Sequence, residues 1–587
     1  MIKLSRQLYK HITAEKIALY TSLLLLIIIT FSGLAFRNQA LDAGLPYNVY
    51  VDEGFITVPA KQIMTSGDLN PHYFHYPSLP IYLVTAGMVL GYFHSAPEME
   101  HHALDLNAIG RVTYPYYEKP GVIKGAKLLF ALLSVTAFLF VSFTAYRAFG
   151  NKALLFLPAL FLSMSTFYFS ESWNYLNVDI IGAVAVSFFY FCVYLGKDRD
   201  TYTSKAIIPG IAAGIVIASK YNLFPVLLIT PLAIFLFSNK DRGRKIFLSI
   251  LISLLTFFLL TPYAILDMGT FVAHVAYQIN HYQTGHTGAS YSGIQHLIKN
   301  LNSIRSSYGW SLTLLGIAGC LYALRLNWRH GLILLSFPLL LLFYMSSQKV
   351  FFPRNILATI TLFPIFISLG VLLAYRILET AVRRAPALNA LSDSIRLWLT
   401  AHTPIKFRNH QAVSASLVGL VLIIILAPTS RLLAPTIQED SRNTVVRWIE
   451  KNIPRGQTLF ISRELGMDLS RFSVKYNLKL IDFRKDNPNQ LYRQFRTLNC
   501  YIIAPTFKSR IASQKNRMLA DKINNRTDLL LKGFEKIADF GTTPLFINTS
   551  YKASWYEKNF TYMPVSSRTP LFSVYTNTDE SRSPDRP

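Results

Sequence analysis

Eleven apolar runs without a charged residue divide this chain of 587 residues, and they constrain its fold more than any other feature. The runs lie at 17–36, 128–145, 153–170, 180–195, 206–219, 223–237, 246–264, 307–324, 331–346, 356–375 and 412–427. A helix needs about 17–25 residues to cross a bilayer, so the shorter runs must include flanking residues. With 51% hydrophobic and 15% charged residues, the composition excludes an ordinary soluble domain. The pattern predicts a polytopic α-helical membrane protein with about 11 transmembrane helices.

The distribution of Lys and Arg predicts how these helices are oriented. The formal net charge is +26, and most basic residues lie in alternate loops, as expected of cytoplasmic segments. These basic segments are 1–16, 147–152, 196–200, 239–245, 325–330 and 376–410. The N-terminus is therefore predicted to be cytoplasmic. The first run is too long for a signal-peptide core and lacks a cleavage site, so it is interpreted as a retained helix. Because the basic residues follow the membrane pattern, no nucleic-acid partner is predicted.

The remaining loops are predicted to lie outside the cell inner (plasma) membrane, together with everything after the eleventh run. They are 37–127, 171–179, the turn at Lys220, 263–306 and 347–355. The stretch 78–93 resembles a further span, but counting it as one would reverse the predicted side of the membrane for every later loop. We therefore interpret it as an amphipathic helix in the outer interface. The runs 206–219 and 223–237 form either two crossings or a shallow hairpin, and the choice decides where Lys220 lies.

The character of the sequence changes after the eleventh run. Short β-rich stretches follow, namely GQTLFIS, LKLIDF, NCYIIAPTF and PLFSVYT, with helical patterns such as SRNTVVRWIEKNI between them. Strands that alternate with helices predict a small α/β domain. The chain is therefore divided into a membrane module at 1–428, whose first external loop is 37–127, and an extracytoplasmic domain at 429–587. The polar end of that domain is predicted to be a disordered tail.

Two acidic sites stand beside apolar runs on the predicted outer face. Asp52 and Glu53 are adjacent in the first outer loop, and Asp179 precedes the fourth run. An acid at a helix N-terminus can simply cap the helix and favour its dipole. A carboxylate close to apolar helices is costly unless it is paired or functional, and a general base must contact the reacting group. All three are candidate catalytic residues, and the choice between Asp52 and Glu53 as the base stays open.

Four cations are predicted on the outer side, against the cytoplasmic bias of the other basic residues. They are Lys127, Lys220, Lys349 and Arg354. Each of them alone is explained by a side chain that reaches towards lipid headgroups. Together they can bind a phosphate at the membrane surface, because Arg offers a bidentate fork and Lys a point charge.

Imidazole and phenol side chains in the outer loops are candidates for substrate contact. The residues are His72, His75, Tyr76, His281 and His286. His281 and His286 share the loop 263–306 with His274 and His296, and the spacing of these four histidines matches no standard zinc pattern. Interfacial hydrogen bonding or substrate contact is therefore favoured over metal ligation, which is also the less favoured interpretation for His72 and His75. Whether a metal binds is left open.

Several segments, in this order, resemble glycosyltransferase family 39. That family includes protein O-mannosyltransferases and bacterial lipid A aminoarabinose transferases, and it has the membrane fold called GT-C. The stretch DEGFITVPAKQIMTSGDLNPHYFHYPSLPIYL is similar to its first external loop, and YFSESWNYLNVD to its second. ASKYNLF and FFPRN are similar to its later KY and RY segments, and the likeness covers roughly 17–375.

The sequence departs from the family pattern at three positions. Lys127 stands where Arg is usual, Asn355 replaces Tyr, and Val58 occupies the place of a further acid found in the aminoarabinose transferases. The last departure weakens any transfer of their metal site or acceptor to this chain.

The resemblance implies an enzyme, a glycosyltransferase that takes a hexose or pentose from a polyprenyl-phosphate donor. Lys220 and Arg354 would hold the departing phosphate, and Asp52 would take the proton of the acceptor hydroxyl, with inversion. The implied partners are the bilayer, the donor, and a lipid, glycan or protein acceptor. No cofactor is certain and a divalent metal stays open. A polysaccharide polymerase or ligase stays open as an alternative. A transporter is the other alternative, but transporters place ionisable residues near the midplane and often show inverted repeats, whereas here the charges cluster at the predicted outer rim and the sequence shows no repeat. The sequence identifies neither the sugar nor the acceptor.

Overall fold

A computed structural model describes most of the membrane part and the core of the C-terminal part. The described residues are 14–42, 45, 51–95, 120–173, 176–286, 290–384, 441–462, 472, 474–483, 486–505, 525–532, 534–540 and 572–576. In chain order the helices are α1 Ala14–Ala40, α2 Gly54–Ser66, α3 Ser78–Ser95, α4 Pro120–Phe149, α5 Leu157–Ser163, α6 Thr166–Trp173, α7 Val178–Leu195, α8 Ile208–Ser219, α9 Ile229–Phe237, α10 Arg242–Leu260, α11 Tyr263–Leu266, α12 Met268–Thr284, α13 Gly293–Leu326, α14 Trp328–Ser347, α15 Leu357–Arg384, α16 Ser441–Asn452 and α17 Pro488–Thr497.

The described helices confirm a multi-pass α-helical membrane protein. Seven of them are long and apolar enough to cross a membrane, and a bent pair, α5 with α6, would make an eighth. The seven are α1, α4, α7, α10, α13, α14 and α15 with the turn before it. Two shorter apolar segments, Thr203–Ser219 and Tyr221–Phe237, coincide with the fifth and sixth predicted runs. The eleventh predicted run, 412–427, lies outside the described residues.

Close packing at two glycines shows how the chain runs through these shorter segments. A Cβ on Gly210 would lie 2.9 Å from the carbonyl oxygen of Ser249, and a Cβ on Gly214 would lie 2.6 Å from that of Ser253. Small residues allow helix backbones to approach this closely. Because the contacts advance by four residues on both helices, α8 and α10 run parallel. The segment between them, Tyr221–Phe237, therefore returns the chain.

The helix α3, which covers the stretch predicted to lie in the outer interface, is not one of the seven spans. It packs against α4 through small residues, since a Cβ on Gly87 would lie 2.5 Å from the Cα of Ala126. The first external loop is thereby fixed to the span α4 on the C-terminal side of the loop 67–77. Its placement in the interface stays a prediction.

The C-terminal part contains a five-stranded mixed sheet. The strands are β1 Thr458–Ser462, β2 Asn477–Ile481, β3 Cys500–Pro505, β4 Glu535–Phe540 and β5 Phe572–Thr576, in the order β2-β1-β3-β5-β4. Strands β2, β1 and β3 are parallel, and β5 pairs antiparallel with both β3 and β4. The parallel connection from β2 to β3 runs through α17, and α16 precedes β1.

Side-chain alternation along β1 shows the two faces. Leu459 and Ile461 pack with Ile449 of α16, whereas Phe460 packs with Phe495 of α17. The small C-terminal α/β fold is thus confirmed. The sequence analysis missed β4, because EKIADF is rich in residues that are depleted in strands and a bulge interrupts it after Lys536. The predicted boundary at 428/429 and the predicted tail lie outside the described residues.

Candidate active site

A cavity of about 1450 Å³ forms where the loops that were predicted to lie outside meet. Each loop that precedes the eleventh run and was predicted to lie outside the membrane contributes to the lining of this cavity. The contributions are Asp52 and Tyr73 from 37–127, Asp179 from 171–179, Lys220, Phe271 from 263–306, and Arg354 from 347–355. This volume exceeds the range of about 300–1,000 Å³ that is usual for small-molecule pockets, so the cavity can hold a large ligand. The cavity is therefore the candidate active site.

Four charged side chains form a continuous chain of ion pairs in the cavity lining. Lys220 Nζ donates to Asp179 Oδ1, and Arg354 Nε lies 3.4 Å from Asp179 Oδ2. Arg354 Nη2 then donates to Asp52 Oδ2 at 2.5 Å. The charges alternate in sign and sum to zero, which allows them to be held close to an apolar core.

Lys220 retains hydrogen-bonding capacity at the cavity. Its ammonium donates to Asp179 and, at 2.9 Å, to Asn355 Oδ1, which also accepts from the Tyr282 hydroxyl at 3.2 Å. An ammonium has three N–H donors, so these two acceptors, the ones that the described residues supply, leave one donor for a ligand. The Nδ2 of Asn355 is buried and has no hydrogen-bond partner among the described residues. Two donors therefore lie side by side next to the ion-pair chain.

The structure separates the two adjacent acids. Asp52 lines the cavity with 30% of its side chain exposed, whereas the side chain of Glu53 is 0% exposed. Both lie in a 3₁₀ turn, Val51–Glu53, in which neighbouring side chains point about 120° apart. Glu53 Oε1 instead accepts from the backbone N–H of Leu176 at 3.1 Å and lies 3.9 Å from Lys127 Nζ. Glu53 thus ties the first outer loop to the second.

Asp179 does not cap its helix, although it lies in the first turn of α7. The N-cap is Asn177, whose side chain accepts from the backbone N–H of Ile180 at 2.9 Å. Because Asn177 satisfies that donor, the buried Asp179 carboxylate is available to hold Lys220 and Arg354. The helix start also favours a negative charge at this position.

One wall of the cavity consists of imidazole and phenol rings, and we call it the aromatic wall. Its members are Tyr73, His75, His274, Tyr277 and His281. The rings of His75 and His274 stack with centroids 4.2 Å apart, and those of Tyr277 and His281 are parallel at 6.3 Å. The loop 71–77 supplies the first two members and α12 the other three.

Burial and neighbouring groups favour the uncharged forms of Tyr73, His75 and His281 in the wall and of Tyr76 beside it. Burial and the Asp52 carboxylate hold the pKa of the Tyr73 phenol well above its usual range, and the same causes raise that of Tyr76. Burial and the His274 ring lower the pKa of His75, and burial together with His286 lowers that of His281. The phenols therefore keep their protons, and the two imidazoles are neutral at pH 7.

Of the sequence-predicted site residues, the cavity brings together Asp52, Asp179, Lys220, Arg354, His75, Tyr76, His281 and His286. Four others lie elsewhere. Glu53 and Lys127 are buried against each other. His72 pairs with Asp68 and Asp267 on the surface, and Lys349 is exposed beside the cavity without lining it. Within the described part of the chain, no group of three or more His, Cys, Asp or Glu side chains is arranged to hold a metal ion.

Sequence reasoning considered His274 only as one of the histidines of its loop and did not select it, and it assigned none of Tyr277, Tyr282 and Asn355 to the site. A signal for two of them exists, because His274, Tyr277 and His281 are spaced by three and four residues and so share one face of α12. Asn355 stood out only as a departure from a family pattern. Its contact with Lys220 joins residues 135 positions apart, which no local pattern could predict.

No family model and no curated protein matches the chain. It is similar to the solved structure of ArnT from Cupriavidus metallidurans bound to undecaprenyl phosphate, with 12% identity and a TM-score of 0.45 over 95% of this chain and 99% of that one. It is also similar to the Archaeoglobus fulgidus oligosaccharyltransferase tethered with an acceptor peptide, with 11% identity and a TM-score of 0.47 over 87% and 72%. Because both TM-scores are below 0.5, we base the functional proposal on the geometry of the site.

Proposed function

We propose that this protein is a membrane glycosyltransferase. It moves a sugar from a polyprenyl-phosphate donor to a hydroxyl group of an acceptor at the outer face of the inner membrane, with inversion and with Asp52 as the general base. The observation that carries the proposal is the ion-pair chain Asp52–Arg354–Asp179–Lys220 in the lining of a large cavity. It supplies a base and two cations a few ångströms apart, as such a transfer requires.

The reaction assigns each charge a role. The acceptor oxygen attacks the anomeric carbon as the bond from that carbon to the phosphate oxygen breaks, and the phosphate leaves with the electron pair. The acceptor proton passes to Asp52. The leaving phosphate gains one negative charge, which Arg354 and the remaining N–H donor of Lys220 stabilise. Attack opposite the leaving group inverts the anomeric configuration.

Arg354 couples proton transfer to Asp52 with the departure of the phosphate. In the resting site it holds Asp52 at 2.5 Å, so the base and the phosphate compete for the same guanidinium. When Asp52 takes the proton it loses its charge and its attraction for Arg354. The guanidinium is released at the moment when the phosphate becomes more negative, so proton transfer and departure of the phosphate support each other.

The composition of the cavity fits a lipid-linked donor. Apolar and aromatic side chains such as Ile217, Phe224 and Phe257 form one part of its lining, beside the charged groups of the ion-pair chain. Phe224 is 44% exposed and packs edge to face with Tyr344 at 4.9 Å. A prenyl chain in the bilayer could thus approach the ion pairs from that side.

A contact between distant parts of the chain supports an outer position for the C-terminal domain. Asn443 Nδ2 in α16 donates to the backbone oxygen of Leu45 at 2.7 Å. Leu45 belongs to the loop that carries Asp52. The domain therefore lies on the same side of the membrane as the cavity, which we assign to the extracytoplasmic side from the basic residues of the other loops.

The decisive test is Asp52→Asn in purified full-length protein in liposomes. The assay follows label from polyprenyl-phosphate-linked hexoses and pentoses into products formed with a membrane extract. A lost general base should lower the rate by about 10²–10⁴-fold. Donor binding should persist or improve, because the substitution releases Arg354. The matched control is Asp42→Asn in the same loop, where Asp42 pairs with Lys124 at 2.8 Å and is 66% exposed.

Two results would contradict the proposal. Full transfer activity in Asp52→Asn would remove the base assignment. If the parent protein transfers no sugar from any polyprenyl-phosphate donor, but moves such a donor or a small substrate across the bilayer, the protein is a transporter instead.

A further inference from the structure

The aromatic wall contains hydrogen-bonding atoms that the proposed transfer step does not use. His274 Nδ1 accepts the backbone N–H of Phe74 at 3.1 Å, so the proton of its neutral ring lies on Nε2, which becomes a donor. His75 Nδ1 is buried and has no hydrogen-bond partner among the described residues. An orphaned buried polar atom in a cavity lining indicates a missing partner, since such atoms are normally satisfied.

The wall also lies next to the proposed base. The Asp52 carboxylate is close enough to Tyr73 to contribute to its raised pKa, and Tyr73 in turn lies 5.0 Å from His75, centroid to centroid. A ligand held on the wall would therefore present its hydroxyl groups towards the side of the cavity that carries Asp52.

The distribution of charge determines which ligand the wall can accept. Apart from histidines, the cavity-lining residues with a formal charge are Asp52, Asp179, Lys220 and Arg354, and these pair with one another. The wall itself contributes no Lys, Arg, Asp or Glu. An anionic group placed there would lose water without gaining a cation, which is costly. Phenol and imidazole groups can instead exchange hydrogen bonds with neutral hydroxyl groups and offer ring faces for packing.

We infer that the aromatic wall is the acceptor subsite and that it takes an uncharged sugar residue, so that the acceptor is a glycan presented without a phosphate at the reacting ring. This inference rests on the proposed function. It excludes an acceptor whose attacking group is itself a phosphate, because the Lys and Arg side chains that the described residues bring to the cavity lining are those of the ion-pair chain, where the donor phosphate binds.

The test measures binding without donor and without turnover, so that it is separate from the transfer assay. Saturation-transfer NMR on the full-length protein in lipid nanodiscs compares three classes of probe. The first is a set of neutral methyl glycosides (gluco, galacto and manno), the second the corresponding sugar 6-phosphates, and the third a blocked Ser–Thr dipeptide. We expect saturation of at least one neutral glycoside and weaker or absent saturation of its phosphate and of the dipeptide.

A matched pair of variants on α12 localises the binding. Tyr277 is 59% exposed and lines the cavity, whereas Val272 is 56% exposed and lies on a different face, outside the lining. Tyr277→Ala should weaken glycoside binding about fivefold, equivalent to about 1 kcal/mol at 1.4 kcal/mol per tenfold. Val272→Ala should leave it unchanged, and it reports any general loss of folding.

The outcomes separate this inference from the proposed function. Preferred binding of the phosphates or of the dipeptide, absence of glycoside binding, or equal loss in both variants would overturn the acceptor assignment, even if sugar transfer proceeds. A different result is that the protein binds glycosides in a Tyr277-dependent way and yet transfers no sugar. In that case the wall would still be a sugar-binding site, and only the proposed transferase function would be wrong.

Discussion

Two buried lysines, each paired with an aspartate, lie at opposite ends of the parallel helices α8 and α10. Lys245 stands in the first turn of α10, and Lys220 directly follows α8. Both side chains are almost completely buried, with 2% and 7% exposed. By burial and pairing alone the two sites look alike.

The acceptors around each ammonium distinguish them. Lys245 Nζ donates to Asp200 Oδ1 at 2.6 Å, Ser238 Oγ at 2.9 Å and the backbone oxygen of Lys240 at 2.9 Å. All three of its donors are thus satisfied by protein atoms. Lys245 and Ser238 also hold the pKa of Asp200 well below its usual range. Lys220 has two acceptors and lines a cavity of about 1450 Å³.

The comparison teaches that a buried ion pair does not by itself indicate function. A site in which every donor is satisfied holds loops and helix ends together. A site that keeps a donor towards a cavity can bind something. The same substitution at the two lysines should therefore have different consequences.

Lys220→Met should produce the largest difference between the two sites. Removing one donor from a site that stabilises developing negative charge lowers the rate by about 10²–10³-fold. Asp179 keeps Arg354 as a partner, at 3.4 Å, so much of the local fold should persist. The measurement is sugar transfer per folded molecule, with the folded fraction taken from thermal unfolding in lipid nanodiscs.

Lys245→Met is the matching substitution at the other lysine, and it tests whether the two sites really differ in function. It leaves Asp200 facing Ser238 without its cation, and because that carboxylate is 31% exposed, losing the charge-assisted hydrogen bond should cost about 1–3 kcal/mol of stability. We expect a lower unfolding temperature and an unchanged rate per folded molecule. If Lys245→Met slowed transfer per folded molecule as strongly as Lys220→Met, the distinction between the two sites would be wrong.

Arg354→Lys should have an intermediate effect. The guanidinium contacts Asp52 through Nη2 and Asp179 through Nε, and an ammonium cannot reproduce this fork. We expect donor affinity to fall about tenfold, which corresponds to one charge-assisted hydrogen bond of about 1.4 kcal/mol. Binding of a labelled polyprenyl-phosphate sugar measures it.

Lys349→Ala is the control for Arg354→Lys. Lys349 carries the same charge five residues away, but it is exposed and does not line the cavity. Its removal should leave donor affinity unchanged at physiological ionic strength, because exposed charges are strongly screened. Equal losses in both variants would reduce the role of Arg354 to general attraction of anions.

Much of this site could be predicted from the sequence, because a single rule places its charges. Asp179, Lys220 and Arg354 each flank an apolar run and Asp52 lies in the loop after the first one, all in segments predicted to be outside, where a charge close to apolar helices is costly unless it is paired or used. Alternation of basic loops then assigns all four to one face of the membrane. Four residues far apart in sequence were thus predicted to lie near one another before any contact was known.

Other features could not be predicted because they depend on side-chain direction. The sequence cannot show that a 3₁₀ turn directs Asp52 into the cavity and Glu53 into the core. It likewise gives no reason why Lys127 should be buried beside Glu53 while Lys220 keeps an N–H donor directed at the cavity. The role of Asn355 depends on a contact between helix ends that only the assembled bundle creates.

Glu53→Gln should have the smallest effect on transfer, and it tests whether adjacent acids divide into a cavity residue and a structural residue. Gln keeps an oxygen that can accept the N–H of Leu176, so the link between the first two outer loops should persist. The rate per folded molecule should stay close to that of the parent. Stability should fall, because the buried Lys127 ammonium loses a carboxylate 3.9 Å away.

Combining Glu53→Gln with Lys127→Met completes this test. If the loss of stability in Glu53→Gln comes from an uncompensated ammonium, removing that ammonium should raise the unfolding temperature of the double variant above that of the single one. Sugar transfer per folded molecule should remain near the parent value in both. A loss of transfer in Glu53→Gln as large as that in Asp52→Asn, not restored in the double variant, would mean that Glu53 takes part in the chemistry. The two neighbouring acids would then act together at the cavity, despite the burial of Glu53.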